Sequence, residues 1–161
     1  MKMIQLTDDD RAGARTLAEE MGILNNSIES GRGSLAGFLG EIGAQKIYGG
    51  AIQHTYQYDL VLPDGTRADV KTKRTSVAPR DYYDCSVAGF NPDQRCDIYI
   101  FTRVSYNSDR CWVLGHYDKK KYIRDARFLK QGQTDGDNGF TVRADCYNLP
   151  INKLERCPDA V

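Results

Sequence analysis

The chain has 161 residues, 40% of them hydrophobic and 27% charged, with 22 basic and 22 acidic side chains and no net charge. That length suits one domain with a proper core, and the charge balance excludes a tail that grips nucleic acid by bulk charge while leaving room for a local basic groove. Five cysteines without a CxxC pair, beside only two histidines, exclude zinc-ligand spacing and read as small hydrophobes of a reduced protein.

The opening MKMIQLTDDDRAG holds no apolar signal core and no run approaches a membrane span, so the expected location is the cytoplasm, that of the host if the chain is viral. A Thr7 cap, acidic residues in the first turn and Gly22 beyond the end predict a helix over residues 8–21. NNSIESGRGS is a turn-rich connection. A second helix is predicted over residues 34–48, from a capping Ser34 to the stop at Gly49 and Gly50. Leu35, Phe38, Leu39 and Ile42 form its apolar stripe, and Ala36, Gly40 and Gly43 a small-residue side open to close approach.

The pattern then changes to strands. Residues 56–62 and 67–73 flank Pro63, Asp64 and Gly65, and residues 96–104 and 110–117 make a second pair. Asp118 caps a basic helix predicted to run to about residue 130. A polar loop, a last strand over residues 140–147 and a helical turn in LPINKL complete the chain. With no repeat and no dividing linker, the expectation is a single α/β domain over residues 1–161.

The hairpin carries the chemistry. Pro63 suits the first central position of a type I turn, and Gly65 the left-handed position that closes a three-residue loop. Leu62 then pairs with Thr66 and Asp59 with Asp69, so Asp59, Asp69 and Lys71 share one face while Tyr58, Leu60, Leu62, Ala68 and Val70 take the other. A two-residue loop on Asp64 and Gly65 would instead turn Asp59 away from Asp69 and Lys71; Pro63 favours the longer loop. Two opposed carboxylates repel, and a divalent cation such as Mg2+ or Mn2+ compensates them. A lysine beside that cation can position or deprotonate a water, or neutralise charge building on a phosphate.

This arrangement, Asp59, a hairpin, then Asp69-Val70-Lys71, resembles the PD-(D/E)XK nuclease superfamily, and the size and order of the chain are similar to small phage-encoded nucleases of that type. Tyr58 stands where the literal motif has proline. The resemblance implies a restriction-endonuclease-like domain, a central mixed β-sheet flanked by α-helices, with a catalytic core over about residues 34–117. It further implies that Glu41, on the second helix, joins Asp59 and Asp69 in binding the metal, that the Val70 carbonyl is a further ligand, and that Lys71 is the catalytic lysine. DNA is the implied substrate, with RNA left open by the residues themselves. A monomer would cut one strand at a time and a homodimer two. The alternative is a catalytically silent module of the same fold that binds nucleic acid or a protein partner.

Lys73, Arg74 and Arg80 are candidate phosphate contacts, with Tyr82 and Tyr83 extending a groove; in a regular strand Lys73 shares the Lys71 face and Arg74 points away. The lysines and arginines between residues 119 and 127 read as a solvated face, and His116 as a structural hydrogen-bonding residue.

Overall fold

A computed structural model of the chain describes residues 1–21, 34–53 and 55–159. Gly22, the turn-rich connection after it and the Ser34 side chain lie outside the described residues. Among these residues the architecture is mixed α/β, with three α-helices and two sheets. The first sheet holds β1 (Lys2–Gln5), β2 (Ala51–Ile52), β3 (Leu60–Val61), β4 (Arg67–Thr75), β6 (Ile98–Ser105) and β7 (Arg110–Asp118), in the order β1-β7-β6-β4-β3-β2. The second holds β5 (Asp84–Ala88), β8 (Arg127–Leu129) and β9 (Cys146–Pro150), in the order β5-β9-β8. All neighbours are antiparallel except β4 and β6, which run parallel.

Helices α1 (Asp8–Met21) and α2 (Ser34–Tyr48) take the predicted bounds. Thr7 caps α1 through its hydroxyl on the Asp10 amide at 3.1 Å, and Asp10 returns a carboxylate to the Thr7 amide at 2.9 Å. That reciprocal pair satisfies two amides that a helix start leaves over. Helix α2 packs on one face of the large sheet, where Phe38 and Leu39 join Leu60, Ala68, Val70, Ile100, Val104 and Val113 in one buried cluster. Its small residues do what their size allows: a methyl on Gly40 would strike the hydroxyls of Thr72 and Thr102, and one on Gly43 the Cys111 sulfur. The helix therefore rides directly on the strands.

The opposite face carries a second cluster built on Tyr99, Phe101, Trp112, Leu114 and Tyr122, with Cys85, Val87 and Leu149 contributed by the small sheet. Tyr122 comes from α3 (Lys119–Asp125), which Asp118 caps by accepting from the Lys121 amide. Here the expected helix to residue 130 is corrected. It ends at Asp125 because Ala126 turns extended, and Arg127–Leu129 pairs with β9. The last strand likewise lies later than expected, at Cys146–Pro150, with the 3-10 turn Ile151–Lys153 directly after it.

The hairpin adopts the three-residue loop. The Leu62 amide donates to the Thr66 carbonyl and the Gly65 amide to the Leu62 carbonyl, both at 2.9 Å, with Gly65 at φ 86°. Leu60 pairs with Ala68 and Val61 with Arg67, but the Asp59 amide also donates to the Ala68 carbonyl, at 2.9 Å, so the regular register stops at Leu60 and the expected Asp59–Asp69 pair is not part of the ladder. Another expectation fails within it: Tyr58 packs against the Tyr99 and Phe101 cluster, on the other side from Leu60. Regular strand structure starts only at Leu60, so side-chain alternation does not extend back to Tyr58. Because β3 is two residues long, β4 beyond Ala68 has β6 as its sole strand neighbour among the described residues.

Candidate active site

The short β3 gives the site its opening. Where the partner strand ends, the Asp59 carboxylate takes over, accepting from the Val70 amide at 2.8 Å. By strand geometry the Val70 carbonyl leaves along the same edge as its amide. Asp69 projects from the face that also carries Tyr99, its parallel neighbour in β6. It is 3% exposed, and its Oδ2 lies 2.5 Å from Lys71 Nζ while accepting no hydrogen bond among the described residues. Lys71 also lies over the Tyr99 ring, 5.9 Å from its centre.

Gln94 ties this pair together and has no signal in the sequence. Its Nε2 donates to Asp69 Oδ1 at 3.1 Å and to the Tyr56 carbonyl at 2.8 Å, and its Oε1 accepts from Lys71 Nζ at 3.3 Å. Lys119, at the start of α3, donates to the Gln94 backbone carbonyl. A glutamine just after the 3-10 turn Asn91–Asp93 looks like any loop amide. Only the fold brings it beside Asp69.

Charge accumulates at this edge. Burial, and then the neighbouring Asp69 carboxylate, push the Asp59 carboxyl up to about 7, against the opposing pull of the Val70 amide and Lys71. Glu41, on α2, is pushed up to about 9 by burial and by Asp59 and Asp69. The two shifts make one statement: Glu41, Asp59 and Asp69 are near enough that they do not all ionise comfortably without added positive charge. Among the described residues, no three His, Cys, Asp or Glu side chains stand together as a preformed metal group. A magnesium-type ion needs less, because it commonly takes one or two carboxylates and completes its shell with water and substrate phosphate. The buried Asp69 Oδ2 and the carboxyls forced toward protonation fit that partial, substrate-completed kind of site.

The other candidates separate. Lys73 shares the Lys71 face but turns under β5, donating to the Asp84 carbonyl at 3.1 Å and Ser86 Oγ at 2.7 Å. Arg74 points away, its guanidinium 4.7 Å from the centre of the Tyr106 ring and donating to the Tyr106 carbonyl. Arg80 is exposed on the loop before β5. His116 is held structurally, with Nδ1 3.0 Å from the Tyr48 hydroxyl and Nε2 3.5 Å from Glu155. The five cysteines are free thiols, four of them buried. Burial pushes the Cys85 and Cys111 thiols up to about 12, the reverse of what a thiolate nucleophile needs.

No protein-family model matches the chain, and no curated protein matches it significantly. No helix among the described residues is long and apolar enough to cross a membrane.

Proposed function

We propose that the chain is a metal-dependent nuclease of restriction-endonuclease-like fold that hydrolyses phosphodiester bonds of DNA. The observation that carries this reading is Asp59, seated on the Val70 amide, in electrostatic contact with Asp69, with Lys71 against Asp69 and Glu41 in electrostatic reach of both carboxylates. The order of elements supports it: a helix bearing Glu41, a hairpin bearing both aspartates and the lysine, then a parallel strand beside β4. Asp59, Asp69 and Glu41, with the Val70 carbonyl, would hold Mg2+ or Mn2+. A cation bound there lowers the pKa of a coordinated water and polarises a phosphoryl oxygen.

The side chains do the rest. Asp59 would release the proton that burial favours on it and, with Asp69, fix the water and the phosphate relative to the strand edge. Lys71 moves from Asp69 toward the phosphate, where its ammonium orients the attacking water or offsets the charge that builds on the non-bridging oxygens. Gln94, accepting from Lys71 and donating to Asp69, limits the positions that either can take.

A second reading has its own observation. The Lys71 ammonium already neutralises Asp69, and no preformed three-ligand group stands among the described residues. That is what a silent module of the same fold, binding nucleic acid or protein, would also show. Plasmid cleavage with Mg2+, with Mn2+ and with EDTA, run beside Lys71→Ala and Asp69→Ala, separates the two. Metal-dependent nicking or linearisation lost in both variants is the expected outcome. No cleavage of supercoiled, linear, single-stranded or branched DNA, nor of RNA, overturns the nuclease reading and leaves the module.

A further inference from the structure

Two residues along β4 from Lys71, on the same face, a cavity of about 640 Å³ opens between the two sheets. Lys73 and Arg103 form one part of its wall and Tyr82, Tyr83, Phe140 and Arg143 another. The parallel register of β4 and β6 puts Lys73 and Arg103 side by side. Like charges placed together and largely buried are unfavourable, and each lowers the other's readiness to stay charged. Burial and Arg103 hold the Lys73 ammonium below its ordinary value, and burial does the same to the Arg103 guanidinium.

The acidic groups nearby compensate them only in part: Asp84 favours the charged form of both without pairing with either. Asp84 and Asp135 are both committed to Arg127, at 3.0 and 2.9 Å. Among the described residues neither Lys73 nor Arg103 has a carboxylate within ion-pair distance. Among the described residues Arg103 donates once, to the Asp84 carbonyl at 3.0 Å, which leaves most of its five donors for something else. What is missing is an anion with several acceptor oxygens, and a phosphate group has that chemistry.

The remaining wall asks for a flat ring. Tyr83 lies under the Arg103 guanidinium with its centre 5.2 Å away, and Tyr82 meets Tyr83 edge-on at 5.1 Å. Tyr82 and Phe140 are 61% and 58% exposed, more than large aromatic side chains at a cavity normally are. Stacking on a nucleobase would cover them.

We propose that this cavity binds one unpaired nucleotide of a nucleic-acid strand, its phosphate on Lys73 and Arg103 and its base against Tyr82 and Phe140. Residues two apart on a strand are ~7 Å apart, so phosphates at Lys71 and at Lys73 would be neighbours on one extended chain. The inference rests on the nuclease reading in taking that chain to be the strand that is cut. A base in duplex is stacked and paired and does not reach such a wall without being turned out. The substrate class is therefore nucleic acid with unpaired residues beside the cleaved bond.

The test is fluorescence polarisation in EDTA, which removes metal and cleavage from the measurement. The probes are a labelled oligothymidylate and a blunt duplex of the same length, competed with thymidine 5′-monophosphate, thymidine and inorganic phosphate. The single strand is expected to bind at least about tenfold more tightly than the duplex, and the monophosphate to compete better than thymidine or phosphate alone. Tyr82→Ala and Phe140→Ala, both at exposed positions, should each weaken strand binding about fivefold or more and leave duplex binding unchanged. Arg103→Gln, checked for folding by its melting curve, should abolish the advantage of the monophosphate over thymidine. Equal binding of strand and duplex, with both aromatic variants unaltered, overturns the proposal. Competition by the monophosphate without any effect of the variants on strand binding also overturns it, because the cavity then takes a free nucleotide. Metal-dependent cleavage measured in parallel keeps the two readings apart. Strand binding without cleavage sinks the nuclease reading alone, and cleavage that is indifferent to these variants sinks this inference alone.

Discussion

Asp59→Asn tests whether the site works against its own charge. The amide oxygen keeps an acceptor for the Val70 amide, 2.8 Å away in the native site, and removes the charge that opposes Asp69. In the fold the Asp59 carboxyl titrates at about 7 against an ordinary 3.8. Between those values the folded chain keeps a proton that the unfolded chain gives up. Stability from this group is therefore fully present below the unfolded value and is lost as pH rises through the folded one. A displacement of that size corresponds to roughly a few kcal/mol, more than half of it falling between pH 5 and pH 8. For a chain of this length that is on the order of 5–10 °C in melting temperature.

Thermal unfolding in EDTA across that range should show the wild type losing stability with pH and Asp59→Asn losing less. The gap between them should widen toward pH 8. Glu41, also raised, owes part of its shift to the Asp59 charge, so its own pH dependence weakens in the variant and adds to the gap in the same direction. Magnesium at pH 8 should recover the wild-type loss and leave the variant where it was, since a ligand stabilises only the state that binds it. A variant that melts with the wild type at every pH refutes the argument that Asp59 and Asp69 are held in electrostatic conflict.

Lys71→Met should lower cleavage by at least about a hundredfold, measured at saturating metal, while the melting temperature at pH 5 stays near wild type. Gln94→Ala should lower kcat about tenfold with little change in KM and shift the pH optimum, because Gln94 sets the relation of Lys71 to Asp69 without touching substrate; an unchanged pH profile would reduce it to a packing residue. Gly40→Ala should cost about 2 kcal/mol in a denaturant melt by wedging α2 off Thr72 and Thr102, with metal binding weakened in step because Glu41 moves with the helix.

Local chemistry was legible and long-range pairing was not. Thr7 and Asp10, the glycines after Tyr48, and Pro63 with Gly65 act within a few residues, so they indicated two helices and favoured the observed hairpin loop from the sequence alone. Asp69 and Lys71 share a face by strand alternation, whereas the placement of Asp59 depends on the break in register at Leu60. Strand β1 gave no warning, since four residues pairing with β7 far along the chain carry no local signature. Arg127–Leu129 reads as a continuation of α3 until β9 is there to pair with it. Gln94, and the meeting of Lys73 with Arg103, depend on β4 and β6 lying parallel across an intervening strand of another sheet. No spacing within either segment encodes that.

The early end of β3 has a cost as well as a use. Among the described residues it leaves the remaining length of β4 as a sheet edge, and an unpaired edge is a template on which a second chain can add a strand. The same residues that the proposed reaction would use also guard against this. The Asp59 carboxylate occupies the first open amide, and a newcomer would have to lie alongside Lys71, Lys73 and Arg74. Removing those charges to test the proposed activity would therefore also remove this protection, so the charge-deleted variants are the ones to watch for edge-to-edge aggregation during purification.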